Sequence, residues 1–203
     1  MKMSLKSLSL RTRRLLIGIP LVAVLLADVV FLVVSLVPKN NDKISIFIAS
    51  AEVDSSALKG LVDGPTIKTV TISYCAPDDT SYAYKYMAAR ESRYDLFILR
   101  ETELSALAVA EIFVPFDARI QSILNLDATD TYFTDGASSY GVRVFDGVNG
   151  NAAFSSFVSF GDESFYLCFA LRSYNVGQYS SISNVATTDE HAFLAARLLL
   201  GDA

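Results

Sequence analysis

Histidine is almost missing from this chain: His191 is the only one in 203 residues. A single imidazole leaves no set of histidines to ligate a metal. It falls in a helical run beside Leu194, Ala195 and Leu198, which reads as packing or half-exposure rather than catalysis. Cysteine is scarce as well. Cys75 and Cys168 are the only two, and neither has a neighbour at Cys-x-x-Cys spacing, which argues against zinc and thioredoxin-type chemistry. Both fall at or in apolar strand-like runs, so they read either as a disulfide in an outward-facing domain or as two buried thiols.

The familiar catalytic and nucleotide signatures are absent too. There is no GxGxxG, P-loop or HExxH, and no serine sits in a nucleophile elbow. Asp78-Asp79 and Asp162-Glu163 are neighbours in sequence and need not converge in space. They read as a helix start and a loop. Asp127, Asp130 and Asp135 lack the alternate-residue spacing of a calcium loop. The expectation is therefore a non-enzymatic protein with no cofactor and no metal. A hydrolase is the weakest reading, for want of a nucleophile and base pair.

Basic charge is thin over most of the chain. Of 17 basic and 22 acidic residues, 5 basic and 1 acidic lie in residues 1–38, leaving 12 against 21, a net charge of −9, in the remainder. So acidic a segment is a poor nucleic-acid binder.

What is abundant is apolar sequence near the start. Leu15 to Val37 is 23 residues with one charge, Asp28. As a helix it is about 34 Å long, enough to cross a hydrocarbon core. That length suits a retained anchor better than a cleaved signal peptide. Lys2, Lys6, Arg11, Arg13 and Arg14 precede it, so residues 1–14 stay cytoplasmic and the domain after the linker 38–42 lies outside the cell. Asp28, near mid-membrane, costs about 2.5–3.5 kcal/mol on insertion scales. The surrounding Leu and Val carry that cost, or a basic residue on a partner helix offsets it.

From Lys43 onward strands and helices alternate. KISIFIAS (43–50) is nearly continuously apolar and reads as a strand covered on both faces. Val53 to Leu61 reads as a helix capped by Asp54 or Ser55. TIKTVTISYC (66–75) alternates polar and apolar residues, which suits a sheet edge. Pro77-Asp78-Asp79 opens a helix running to about Arg93. Tyr94 to Leu99 is a central strand, and Thr102 to Ile112 a helix striped by Leu104, Leu107, Ala108 and Ile112. Tyr82, Tyr84, Tyr86 and Tyr94 read as helix-on-sheet packing or as a stacking surface for a sugar or partner. Asp117 to Ser139 is a polar connection with a helical turn at 118–124. Asn149-Gly150 predicts a hairpin joining strands 140–148 and 151–160. SFYLCFAL (164–171) is a buried strand. Thr187 and Glu190 form a capping box for a last helix, 189–200, closed by Gly201.

The sum is an α/β fold: three layers, a mostly parallel sheet built as β-α-β-α-β-α, then an antiparallel hairpin and a helix over residues 43–203. In open parallel sheets ligands bind outside the carboxyl ends of the strands. Those ends nominate Ser50, Glu52, Asp78, Arg100 and Glu101 as candidate ligand-binding residues. Arg100 is the most pointed, since a guanidinium clasps a carboxylate or phosphate. A local ion pair with Glu101 or Glu103 is the plainer reading.

The order of these motifs resembles the first lobe of bacterial extracellular solute-binding proteins, the type 2 periplasmic-binding-protein fold. The resemblance rests on YDLFIL, on the Val114-Pro115-Phe116-Asp117 exit, on Tyr140-Gly141-Val142, on SFYLCFAL and on the Ala/Leu-rich final helix. It covers about Lys43 to Leu171 and the last helix. It implies binding of a small solute, such as a sugar or peptide, or docking to a transporter. The chain departs from the family in having no room for a second lobe, Arg143 where the family has proline, and a membrane helix in place of a lipid anchor or cleaved signal. The competing expectation is a structural interaction module of the cell envelope, without ligand binding, that contacts a membrane-protein partner.

Overall fold

The computed structural model describes residues 43–64, 66–126, 130–173, 175–176 and 185–201, without the side chains of 185–190. The apolar run 15–37, Asp28 and the linker 38–42 lie outside these residues. No helix among the described residues is long and apolar enough to cross a membrane.

In chain order the elements are β1 (Lys43–Ile48), β2 (Glu52–Val53), α1 (Ser55–Val62), β3 (Thr69–Tyr74), α2 (Tyr82–Glu91), β4 (Leu96–Arg100), α3 (Glu101–Ser105), α4 (Val109–Ile112), α5 (Ala118–Ile123), β5 (Tyr132–Asp135), β6 (Ser138–Asp146), a 3₁₀ helix (Ala153–Phe157), β7 (Val158–Ser159), β8 (Ser164–Phe169) and α6 (Val185–Leu200). Six strands form one sheet in the order β3-β1-β4-β8-β6-β5, and β2 pairs with β7 in a separate two-stranded sheet. The half-polar β3 is an edge strand, as its alternation predicts. The continuously apolar β1 is internal.

The sheet is mixed rather than mostly parallel. Only β3-β1 and β1-β4 are parallel; β4-β8, β8-β6 and β6-β5 are antiparallel. The cause is β8. Its run SFYLCF is apolar on both faces, buried from Phe165 to Phe169, and so belongs inside the sheet. It enters there antiparallel to β4.

The register sorts side chains onto two faces. Phe47 pairs with Phe97 and Phe97 with Cys168; this face packs on α2, where Tyr82 and Tyr86 lie 5.9 and 5.8 Å from the Phe47 ring. Ile46 and Ile48 pair with Leu96 and Ile98 on the other face. There Phe169 meets Phe193 of α6, with ring centroids 4.8 Å apart. The sheet thus lies between helical layers, and each fully buried Ile, Leu or Phe contributes about 1.5–3 kcal/mol.

Three local expectations fail for identifiable reasons. The helix at 102–112 is two short helices. Leu104 and Val109 are both buried, yet five residues apart on one continuous helix they would point about 140° away from each other. The break at Ala108 (φ −77°, ψ 73°) turns both inward. The Asn149-Gly150 hairpin does not form between long strands. Instead Asp146 accepts hydrogen bonds from the amides of Val148 and Asn149, at 2.9 and 2.6 Å, and Gly147 is the left-handed residue (φ 93°). Gly150 has a different use: a Cβ there would lie 2.1 Å from Ser155 Cβ. The true hairpin joins β5 to β6 across Gly136 (φ 61°), inside the stretch that reads as a polar connection. Finally, α6 already runs from Val185, so Thr187 is inside the helix and not its cap. Gly201 (φ 103°) does end it, its amide reaching Arg197 O at 3.0 Å.

Candidate functional site

The five nominated residues fall in three separate places around the carboxyl ends of β1, β3 and β4. Arg100 and Asp78 come together. Arg100 Nη1 lies 3.3 Å from Glu163 Oε1 and 3.8 Å from Asp78 Oδ1, and its Nε lies 3.9 Å from Glu103 Oε2. Glu103 also accepts the Arg100 amide at 3.1 Å, closing the first turn of α3, and Thr102 Oγ1 donates to Glu163 at 2.6 Å. The guanidinium thus faces three carboxylates but hydrogen-bonds only one, Glu163, and its buried Nε has no hydrogen-bond partner among the described residues. Burial raises Glu103 above the usual carboxylate range, against the pull of Tyr82 and Arg100. Burial also raises Tyr82, and Glu103, which accepts its hydroxyl, raises it further.

Ser50 and Glu52 lie on the other side. Ser50 is buried, and its hydroxyl lies 2.7 Å from Ser159 O and 3.0 Å from Glu52 O. It ties the end of β1 to the β2-β7 pair and is not presented to a ligand. Glu52 is exposed, its backbone paired with Ser159. It borders a wide, shallow cavity of about 590 Å³ between Ala51–Asp54, Tyr74 and Ser156–Ser159.

Glu101 borders a different, deeper cavity of about 380 Å³. Tyr166 and Phe133 form part of its lining, with ring centroids 5.7 Å apart and planes at 70°. Leu104, Leu107 and Val109 supply one wall from α3 and α4; Tyr132, Thr134 and Asp135 supply the other from β5. Burial raises the Tyr166 phenol above its usual range, and the charge of Glu101, which also accepts its hydroxyl, adds to that. Gly141 keeps this region thin: a Cβ there would lie 2.7 Å from Cys168 Sγ.

At the opposite end of β4 is a polar cluster that the site reasoning passed over. Asp95 is buried and accepts from the Ser45 amide (2.7 Å), Ser173 Oγ (2.5 Å) and Asn175 Nδ2 (3.0 Å). Asn175 Nδ2 also reaches Lys43 O at 2.7 Å. Burial pushes the Asp95 carboxyl from 3.8 up to about 6, in spite of those donors. The available signal was a lone acid opening an otherwise apolar strand. For Glu163 there was no comparable sign, since it reads as an ordinary loop acid.

The remaining candidates resolve as follows. Cys75 and Cys168 are both free and buried, and burial raises the Cys168 thiol. His191 Nδ1 is buried with no hydrogen-bond partner among the described residues. Tyr82 and Tyr86 stack at 6.1 Å against the core, and burial pushes Tyr86 up to about 12, while Tyr84 is 79% exposed. Of the three spaced aspartates, Asp127 lies outside the described residues. Among the described residues no three His, Cys, Asp or Glu side chains gather as metal ligands would. No protein-family model, no curated protein and no solved structure matches this chain.

Proposed function

We propose that the chain is a membrane-anchored, extracytoplasmic, non-enzymatic binding protein whose α/β lobe takes a small solute. The observation that carries this reading is the 380 Å³ cavity bordered by Glu101, a volume within the range of small-molecule sites and just beyond the carboxyl end of a parallel strand. Its supports in sequence are the apolar run 15–37 with its basic flank and the likeness of residues 43–171 to one lobe of a type 2 solute-binding protein. Both walls of the cavity belong to one lobe, so the bound solute keeps one side toward water.

Thermal-shift screening of the full chain in detergent micelles against sugars, peptides and amino acids tests the reading. A saturable rise in Tm with at least one solute is expected; no shift with any of them counts against it. The topology has its own check, because protease added to intact cells should remove residues 39–203, and protection would overturn the external placement.

A second reading, an envelope interaction module without ligand, draws on two observations. Arg100 already faces three carboxylates within 4.0 Å. Tyr84 and Met87, three residues apart on α2, are 79% and 47% exposed. Crosslinking from position 84 to a membrane protein in cells, together with silence in the solute screen, favours this second reading.

A further inference from the structure

The two cavities and the Arg100 cluster differ in what charge they leave unanswered. Asp78, Glu103 and Glu163 share one cation, Arg100. Glu101 and Asp135, which both line the deeper cavity, are exposed and have no ion-pair partner among the described residues. Among the described residues no Lys, Arg or His lines that cavity. Arg143, the cation that acts on Tyr166, is not part of the lining. Tyr166 and Phe133, set edge to face, line the same cavity, with Tyr132 on the β5 wall. An aromatic ring attracts a cation through its electron-rich face, most strongly where water is excluded. A carboxylate rim supplies the countercharge and accepts N–H hydrogen bonds. The domain's surplus of acids favours approach of a cation over long range.

We propose that this cavity takes a small cationic solute, an amine or quaternary ammonium compound, held over the aromatic residues with its charge between Glu101 and Asp135. This rests on the solute-binding reading above and names the class of solute. Anionic solutes are disfavoured by the same rim, and Arg100 is not part of the lining.

The experiment is isothermal titration of the full chain in detergent micelles, at physiological ionic strength. The probes are choline and spermidine (cationic), glucose (neutral) and glutamate (anionic). Saturable binding of a cationic probe is expected, weakened at least ten-fold in the Glu101→Gln/Asp135→Asn double variant. Asp63→Asn, which removes an exposed acid at the end of α1, should leave it unchanged and so control for net charge. Equal weakening by Asp63→Asn, or no weakening in the double variant, overturns the assignment to this cavity. Binding of glucose or glutamate alone overturns the cationic class while leaving the solute-binding reading intact. Silence with all four probes and with the wider solute panel overturns both.

Discussion

Strand β4 has a charged residue at each end, and the two ends are built on opposite plans. Asp95, just before the strand, is sealed from water and meets only neutral donors: an amide, a hydroxyl and a carboxamide. Arg100, the last residue of the strand, is partly exposed and meets three carboxylates on side chains that water reaches. The closed end joins segments far apart in the chain, since Asn175 bridges Asp95 and Lys43. The open end joins groups that can exchange partners, and the cavity bordered by Glu101 begins there. The difference separates a part that holds the fold from a part that is free to bind.

The largest effect is expected at the closed end. Asp95→Ala strands the Ser45 amide and the Ser173 hydroxyl and removes one acceptor of Asn175. Unsatisfied buried donors of this kind cost about 1–3 kcal/mol each, so a loss of about 3–5 kcal/mol is expected, read from urea unfolding followed by circular dichroism. A loss under about 1 kcal/mol would erase the contrast between the ends.

The same carboxyl should give the protein a pH-dependent stability. Its folded value of about 6 lies above its ordinary 3.8, so between these values the folded chain keeps a proton that the unfolded chain has released. Stability contributed by that proton is fully present below about pH 4 and is lost as pH rises through about 6, in all about 3 kcal/mol. Urea midpoints at pH 4, 5, 6 and 7 should fall in that order for this contribution. The slope difference between the native chain and Asp95→Asn isolates it from other titrations. Equal slopes would mean that Asp95 is ionised in the fold throughout.

How much of this contrast was legible in the sequence depends on range. β1, β3, β4 and β8 follow from runs of apolar or alternating residues, because burial on one face or two imposes a period that survives in the sequence. The Asp54 cap is equally local, its Oδ1 lying 3.1 and 3.0 Å from the amides of Ser56 and Ala57. The insertion of β8 beside β4 is not local, and a mixed sheet was therefore missed. Gly150 misled because the dipeptide signals a turn, whereas the residue is needed for the close approach of Ser155. In the site, strand ends were legible but partners were not. Glu163 reaches Arg100 across 63 positions, and nothing in its own neighbourhood announces the meeting. Ser50 was rightly placed at a strand end, yet its hydroxyl is committed to backbone carbonyls.

At the open end Arg100→Met should cost only about 1 kcal/mol, as for partly exposed ion pairs. It leaves Glu103, already raised by burial, without its cation, so Glu103 should titrate higher still. The cost should shrink in concentrated salt, which screens exposed charges over a few ångströms. A loss as large as that of Asp95→Ala, or one insensitive to salt, would show that both ends are structural.

The smallest effect on folding is expected from Glu101→Gln. The side chain is exposed, and the oxygen of a glutamine can still accept the Tyr166 hydroxyl that Glu101 accepts, so stability should change by less than about 0.5 kcal/mol. The substitution is nonetheless visible elsewhere. The charge of Glu101 helps to raise Tyr166, and replacing it with a neutral amide removes that repulsion toward the phenolate. Tyr166 should then titrate at lower pH, while burial still holds it above the usual range. Carbon-13 NMR of labelled tyrosine rings reads this directly. An unmoved Tyr166 would place Glu101 out of reach of the cavity's aromatic lining, and a large loss of stability would make it part of the scaffold. An altered Tyr166 in an equally stable protein is what the division between a closed and an open end requires.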